Sequence, residues 1–338
     1  MTSKSNLHLS DELAQRKSAH IELASRAQTP VGSLDSRFDY EPMFFSHPTD
    51  GDIWPITFLE RPMNFPIWVS SMTGGTAHAQ EINKNLARLC GEYKLGMGLG
   101  SCRALLQDDS RLQEFQVRKY LNEQPLYANL GLAQIEQLVN NNQIHKIEEM
   151  VSKLDADGLM IHLNPLQEWF QPEGDRYQVS PLITLTRLLE KSQLPMMVKE
   201  VGQGMGPKSL KALLDLPLKG IEFGAFGGTN FSMLESMRGN ELGNKRPFIQ
   251  VGHTALEMVE ILNAFPDRKK DFIISGGISN VLDGYELKMR FKSNAVIGMA
   301  QAFLKPAMES YETLQLHFFE LKDSLLTAKG LLKVKGDI

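Results

Sequence analysis

The side chains best equipped for chemistry lie in a few short stretches. His162 and Asn164 end an apolar run and are followed closely by Gln167 and Glu168. Residues two apart on a strand face the same side, so an imidazole and an amide would share one surface. A lone histidine there is either a satisfied core residue or a group that handles protons. Glu168 is a candidate Mg2+ ligand, because a hard cation bound to a diphosphate takes only one or two protein carboxylates. The alternative is a surface glutamate that caps the next helix. Lys199 closes the run Met196-Met197-Val198 and precedes Glu200. Its ammonium either holds an anionic cofactor group or forms a structural pair with Glu200 or Glu222. Arg16 and Lys17, with His20 about one helical turn later, make a small basic cluster that by itself reads as a solvated face.

The glycine-rich and polar clusters begin where apolar runs end. They include Ser71-Met72-Thr73-Gly74-Gly75, Gly100-Ser101-Cys102-Arg103, Asn129-Leu130-Gly131, Gly224 with Gly227-Gly228-Thr229, Ser275-Gly276-Gly277 and Gly298-Met299-Ala300. Singly, such glycines are turn residues. Together, with helices following them, they let backbone N–H groups approach phosphate oxygens.

The apolar runs themselves are eight: 66–70, 95–99, 125–129, 157–163, 195–199, 220–224, 271–275 and 294–298. Between them lie segments of helical period, such as Ile82, Leu86, Leu89 and Tyr93, or Ile135, Leu138, Ile147, Met150 and Leu154. Ser180-Pro181 is a helix start, with Ser as the cap and Pro at the first turn. Strands alternating with helices predict a parallel sheet, and eight such units predict an α/β fold, a closed (β/α)8 TIM barrel with its site at the C-terminal strand ends. The last two strands are the usual phosphate position, where Gly276, Gly277 and Gly298 fall. We expect one domain over 1–338: an N-terminal extension over 1–64, the barrel over 65–305 and a helical tail over 306–338. The long gap between the sixth and seventh runs, holding Arg238 to Lys245, reads as an inserted loop.

Composition sets the limits. The chain has 338 residues, 42% hydrophobic and 22% charged, which is ordinary globular usage with room for one large core. A formal charge of -4 offers no general field for polyanions, so nucleic acid is not expected as a partner. Two cysteines, Cys90 and Cys102, without metal-ligand spacing, argue against zinc or a disulfide framework. The polar N-terminus and the absence of a long uncharged apolar run predict neither export nor a membrane span, hence a cytoplasmic protein.

Taken in order, these clusters resemble the FMN-dependent type 2 isopentenyl-diphosphate delta-isomerases. The resemblance runs from about Arg16 to Ala300. Its most specific pieces are Arg16-Lys17 with His20, Met72-Thr73-Gly74-Gly75, His162 to Glu168 with Gln171-Pro172-Glu173-Gly174-Asp175, Lys199-Glu200-Val201-Gly202, and Gly227-Gly228-Thr229. It implies FMN held by Ser71, Met72, Thr73, Gly74, Ser101, Asn129, Lys199, Gly224, Thr229, Gly276, Gly277, Gly298 and Ala300. It implies a diphosphate substrate met by Arg16, Lys17, Ser101 and Arg103, with His162, Asn164 and Gln167 at the hydrocarbon end, His162 and Gln167 being the catalytic candidates, and Mg2+ on Glu168. The implied reaction, in isoprenoid biosynthesis, interconverts isopentenyl and dimethylallyl diphosphate without net oxidation, with NADPH as reductant of the flavin. Family members form tetramers or larger homo-oligomers, octamers included.

The chain departs from the family pattern at several points. Cys102 stands in place of Gln, and Gly224-Ala225-Phe226 replaces a Ser-Gly approach to Gly-Gly-Thr. Ser279-Asn280 replaces Arg-Ser/Thr-Gly, Lys292-Ser293-Asn294 replaces Leu-Gly-Ala, and two residues are added between Ser279 and Lys292. These changes gather at the phosphate loops of strands six to eight and bear on FMN affinity more than on substrate recognition. Two rival readings are an FMN-dependent 2-hydroxy-acid oxidoreductase and a non-catalytic flavin or diphosphate binder. The first needs a His-Gly-Gly-Arg type strand end, where this chain has Ala225-Phe226-Gly227-Gly228-Thr229.

Overall fold

The computed structural model describes residues 3–71, 77–239, 243–266 and 269–336. The chain divides into two units, Met1–Asp39 and Tyr40–Ile338, so the break falls inside the expected extension. The first unit carries the helix Ser3–Leu23. The second unit holds a closed barrel of eight parallel strands, as the alternation predicts. They are β1 (Ile67–Val69), β2 (Gly96–Gly98), β3 (Leu126–Gly131), β4 (Gly158–Leu163), β5 (Met196–Glu200), β6 (Gly220–Glu222), β7 (Asp271–Ser275) and β8 (Ala295–Met299). Each pairs with the next, and β8 closes on β1 through Gly298 opposite Trp68. Each strand overlaps one of the apolar runs: five lie inside them, and β3, β5 and β8 extend one or two residues beyond.

Side-chain alternation organises the interior. Trp68, Tyr127, Met160, Met197, Ile273 and Val296 point into one core cluster. Phe58 and Met63 join them from an antiparallel hairpin, Ile56–Phe58 and Arg61–Met63. That hairpin plugs the N-terminal end of the barrel. Leu59 N–H donates to Asp271 at 2.7 Å, and Asn294 donates to the Thr57 carbonyl at 2.8 Å. Two residues further along the strands, on the same inward face, stand Ser70, Asn129, His162, Lys199, Ser275 and Gly298. The apolar interior thus ends in a polar layer at the C-terminal mouth.

Helices cover the outside. The spacing of Ile82, Leu86 and Leu89 becomes the helix Ala77–Tyr93, with those residues buried. The segment after β3 forms two helices, Leu132–Asn140 and His145–Lys153, rather than one. Ser180 is the N-cap residue of Pro181–Lys191 but makes no side-chain cap bond; Pro181 alone carries out the predicted start. The expected inserted loop is largely helical where described, with Phe231–Gly239 and a 3-10 helix over Gly243–Gln250. The tail folds as the helix Tyr311–Leu331 against the barrel wall, burying Leu314, Phe318 and Leu325. Among the described residues, no helix is long and apolar enough to cross a membrane.

Candidate active site

The polar layer brings His162 and Lys199 together as register partners on β4 and β5, and places Glu222 of β6 opposite Lys199. His162 Nδ1 lies 2.7 Å from Asn129 Oδ1. With the amide in this orientation the oxygen accepts, so the imidazole proton sits on Nδ1 and Nε2 keeps its lone pair, close enough to Gly131 that a Cβ there would come within 2.8 Å of it. Burial, reinforced by the Lys199 charge, lowers the His162 pKa to about 3. The ring is therefore neutral at pH 7 and serves as an acceptor, not an acid.

Lys199 is buried, 8% exposed, and its Nζ donates to the Glu200 carbonyl at 2.9 Å. The expected alternative, a pair with the Glu200 or the Glu222 carboxylate, does not form among the described contacts. That carboxylate turns the other way and accepts the N–H groups of Gly202, Gln203 and Gly204 at 2.7, 2.6 and 3.1 Å. Burial still raises its pKa, against the pull of those donors and of Lys199. Glu200 thus folds the loop after β5 around itself and leaves the Lys199 ammonium without a direct carboxylate among the described residues.

Asn164 lies just past β4 and opens the short helix Pro165–Phe170. Its environment separates it from His162. Tyr177 donates its hydroxyl to Asn164 Oδ1 at 2.9 Å, and that hydroxyl accepts the Asn164 backbone N–H at 3.1 Å. The Asn164 amide nitrogen is then aimed at Gln167 Oε1 and Glu168 Oε1, at 3.1 and 3.0 Å. Gln167 donates to the buried Glu235 at 3.3 Å. Glu168 is buried at 8% exposure, and its Oε2 accepts the Asp175 N–H at 2.7 Å. Asp175 in turn holds Arg103 at 3.1 Å and accepts from Gln134 at 2.7 Å. So Arg103, expected on an anionic substrate, and Glu168, expected on a metal, are joined through one residue. No group of three or more metal-ligating side chains occurs among the described residues, and a single carboxylate beside an arginine suits a cation brought in on a diphosphate.

A flavin has a polar-edged ring, and the mouth has polar atoms to offer one. Ser70 Oγ, Ser71 Oγ and Glu222 Oε2 are buried without a partner among the described residues. Gly298 makes space beside Ser70: a Cβ there would sit 2.8 Å from Ser70 Oγ and 2.9 Å from Ser275 Cβ. Gly298 lies within β8, and its contacts are with these strand residues. Gly276 and Gly277 have φ of 87° and 71°, where a side chain is strained. A Cβ on either would run into the Ala225 or Phe226 carbonyl, so the loops after β6 and β7 pack backbone to backbone.

Gly224 also has positive φ and donates its N–H to Ser275. Ser101 and Thr229 are exposed in their loops, and Ala300 is the N-cap residue of the helix Gln301–Glu309. Met72, Thr73 and Gly74 lie outside the described residues. Arg16 and Lys17 are exposed on the helix of the first unit. Cys102 points inward, its Sγ 3.3 Å from the Gly100 carbonyl, and burial pushes its thiol up to about 12, which removes it as a nucleophile. Tyr177, Asp175, Glu222 and Glu235 complete the site but were not among the residues expected. Tyr177 and Asp175 fall in or beside the Gln171 to Asp175 run, while Glu222 was foreseen only as a partner for Lys199.

Comparison with known proteins bears on this geometry. No family model matches the chain. An isopentenyl-diphosphate delta-isomerase of Rickettsia rickettsii (strain Sheila Smith) is 34% identical over 341 residues, covering 95% of this chain and 96% of its own. That of Rickettsia bellii (strain RML369-C) is 34% identical over 327 residues, covering 92% of each. In fold the chain is similar to mandelate oxidase, with a TM-score of 0.56 at 12% identity over 88% of each chain. It is also similar to flavocytochrome b2, with a TM-score of 0.58 at 14% identity over 87% of this chain and 72% of that one. The solved structures share the barrel, whereas the sequence relatives match nearly end to end, and on that match the chain belongs to the isopentenyl-diphosphate delta-isomerase family.

Proposed function

We propose that the chain interconverts isopentenyl and dimethylallyl diphosphate, using FMN kept reduced by NADPH and Mg2+ carried on the diphosphate. The observation that bears most weight is the polar layer itself. A neutral His162, a buried Lys199 and hydroxyls unpartnered among the described residues sit directly above an apolar barrel core, with Glu168 and Arg103 joined through Asp175 beside them. One neighbour in fold is a mandelate oxidase mutant with a monooxide FMN adduct, which supports the flavin.

An unactivated alkene is a weak base, and the cation it forms is quenched by water. When bound, reduced flavin supplies the electron-rich ring that stabilises the developing charge and the proton exchanged with the alkene. The protein's residues do the rest. Lys199 favours the anionic form of a ring beside it. His162 Nε2 accepts a hydrogen bond or a proton, because its own pKa keeps it neutral. Asn164 holds Gln167 and Glu168 in place, Glu168 is the metal ligand, and Arg103 neutralises phosphate charge. We place the protein in isoprenoid biosynthesis in the cytoplasm, as a tetramer or octamer of identical chains, with no nucleic-acid or membrane partner.

The deciding experiment incubates the protein with isopentenyl diphosphate, FMN, NADPH and Mg2+ and analyses the products. Dimethylallyl diphosphate formed without stoichiometric NADPH loss is the expected result. Oxidised product or stoichiometric NADPH loss would favour an oxidoreductase, and flavin binding with no conversion a mere binder.

A further inference from the structure

Asn164 is the N-cap residue of the helix Pro165–Phe170, a place where an asparagine oxygen ordinarily accepts an N–H of the first turn. Here its side chain makes no cap bond. It stands instead in a line of side chains that ends on two carboxylates. The Asn164 amide nitrogen gives one hydrogen to Glu168 Oε1 at 3.0 Å and the other to Gln167 Oε1 at 3.1 Å. Gln167 gives its own amide hydrogen to Glu235, which is 4% exposed and paired on its other oxygen with Arg238. A carboxylate accepts and does not donate, so Glu168 and Glu235 allow the two amides one orientation, with Asn164 Oδ1 turned to the far side.

That oxygen needs a donor from the protein, because Asn164 is 3% exposed. The Tyr177 hydroxyl supplies it at 2.9 Å. The same hydroxyl accepts the Asn164 backbone N–H at 3.1 Å, so its single proton goes to Oδ1. Tyr177 is itself held on both sides by the helix Leu132–Asn140. Glu136 of that helix accepts the N–H groups of Gln178 and Val179 at 2.9 and 3.2 Å, and Gln134 donates to Asp175 at 2.7 Å. Without the hydroxyl, Oδ1 is buried and unsatisfied, and the amide regains a partner only by turning away from Gln167 and Glu168.

We propose that Tyr177 is a positioning residue: by giving Asn164 Oδ1 its donor it fixes the orientation of Gln167 and of the Glu168 carboxylate, to neither of which it hydrogen-bonds among the described residues. Its effect on rate rests on the isomerase reading proposed above, whereas the coupling belongs to the folded chain itself.

The test compares Tyr177→Phe, Asn164→Ala, Gln167→Ala and their combinations in the full chain, by steady-state conversion of isopentenyl diphosphate with FMN, NADPH and Mg2+ and by urea unfolding without ligands. Tyr177→Phe should lower kcat about tenfold or more and leave KM within about twofold, because the bond between Arg103 and Asp175 is untouched. In the Asn164→Ala background the same change should cost less than about twofold. In unfolding, Tyr177→Phe and Gln167→Ala should be non-additive by about threefold or more in the equilibrium constant, and additive once Asn164 is replaced. If Asn164→Ala does not fold, the pair Tyr177→Phe and Gln167→Ala decides alone. Additive unfolding effects in the native background, or an unchanged kcat in Tyr177→Phe, overturn the positioning role and leave the isomerase reading intact. Coupled unfolding in a chain that converts no substrate supports the positioning and overturns the isomerase reading.

Discussion

His162 shows how an environment selects one role from a side chain that has several. An exposed imidazole titrates near neutrality, whereas this one is held neutral by burial and by the lysine across the strand pair. The consequence is a stability term with a definite sign. The unfolded chain takes up a proton at 6.5 and the folded chain only at about 3, so stability is complete above pH 6.5 and is lost as pH falls through that window. Between pH 7 and 5 the native chain should lose about 2 kcal/mol more than His162→Gln, as read from urea melts at the two pH values. Equal losses would show that His162 is charged in the folded protein. Glu168 makes a second case, because glutamine in its place still accepts the Asp175 N–H but carries no charge for a metal. Glu168→Gln should raise the Mg2+ concentration for half-maximal turnover about tenfold or more, and an unchanged metal dependence would remove it as a ligand.

Single elements differ in how they are terminated, and the differences are measurable. The helix Ala255–Asn263 has a full capping box: Thr254 accepts the Glu257 N–H, and Glu257 returns a bond to the Thr254 N–H. The helix Pro181–Lys191 begins at Ser180 with no such bond. Thr254→Ala should therefore cost about 1 kcal/mol in denaturant unfolding, while Ser180→Ala should change stability by no more than about 0.5 kcal/mol. Both serines and threonines before a helical run look alike as letters. Which of them caps depends on backbone angles that the neighbouring loop imposes.

For the whole molecule, the decisive feature is a barrel closed at one end by hydrocarbon and open at the other to polar groups. Phe58, fully buried and stacked edge-on to Trp68, comes from the hairpin that supplies the closed end. Phe58→Ala should lower unfolding stability by about 3–5 kcal/mol, the range for a cavity that the surroundings cannot fill. A small effect would mean that the hairpin is an appendage and that the core is sealed without it.

The sequence by itself determined the barrel and most of its mouth. Eight apolar runs alternating with helical periods leave few other ways to bury their surface, and a two-residue period carries the apolar layer of Met160 and Met197 directly into His162 and Lys199. What only the tertiary structure decided is where hydrogen bonds go between segments far apart in the chain. No local pattern announces that Tyr177 will lock Asn164, that Asp175 will link Arg103 to Glu168, or that residues 56–63 will plug the barrel, because each depends on side chains meeting across turns. Asp283 combines both: its position three residues after Asn280 is a visible capping pattern, but its place beside the C-terminal end of β7 exists only once the barrel has closed.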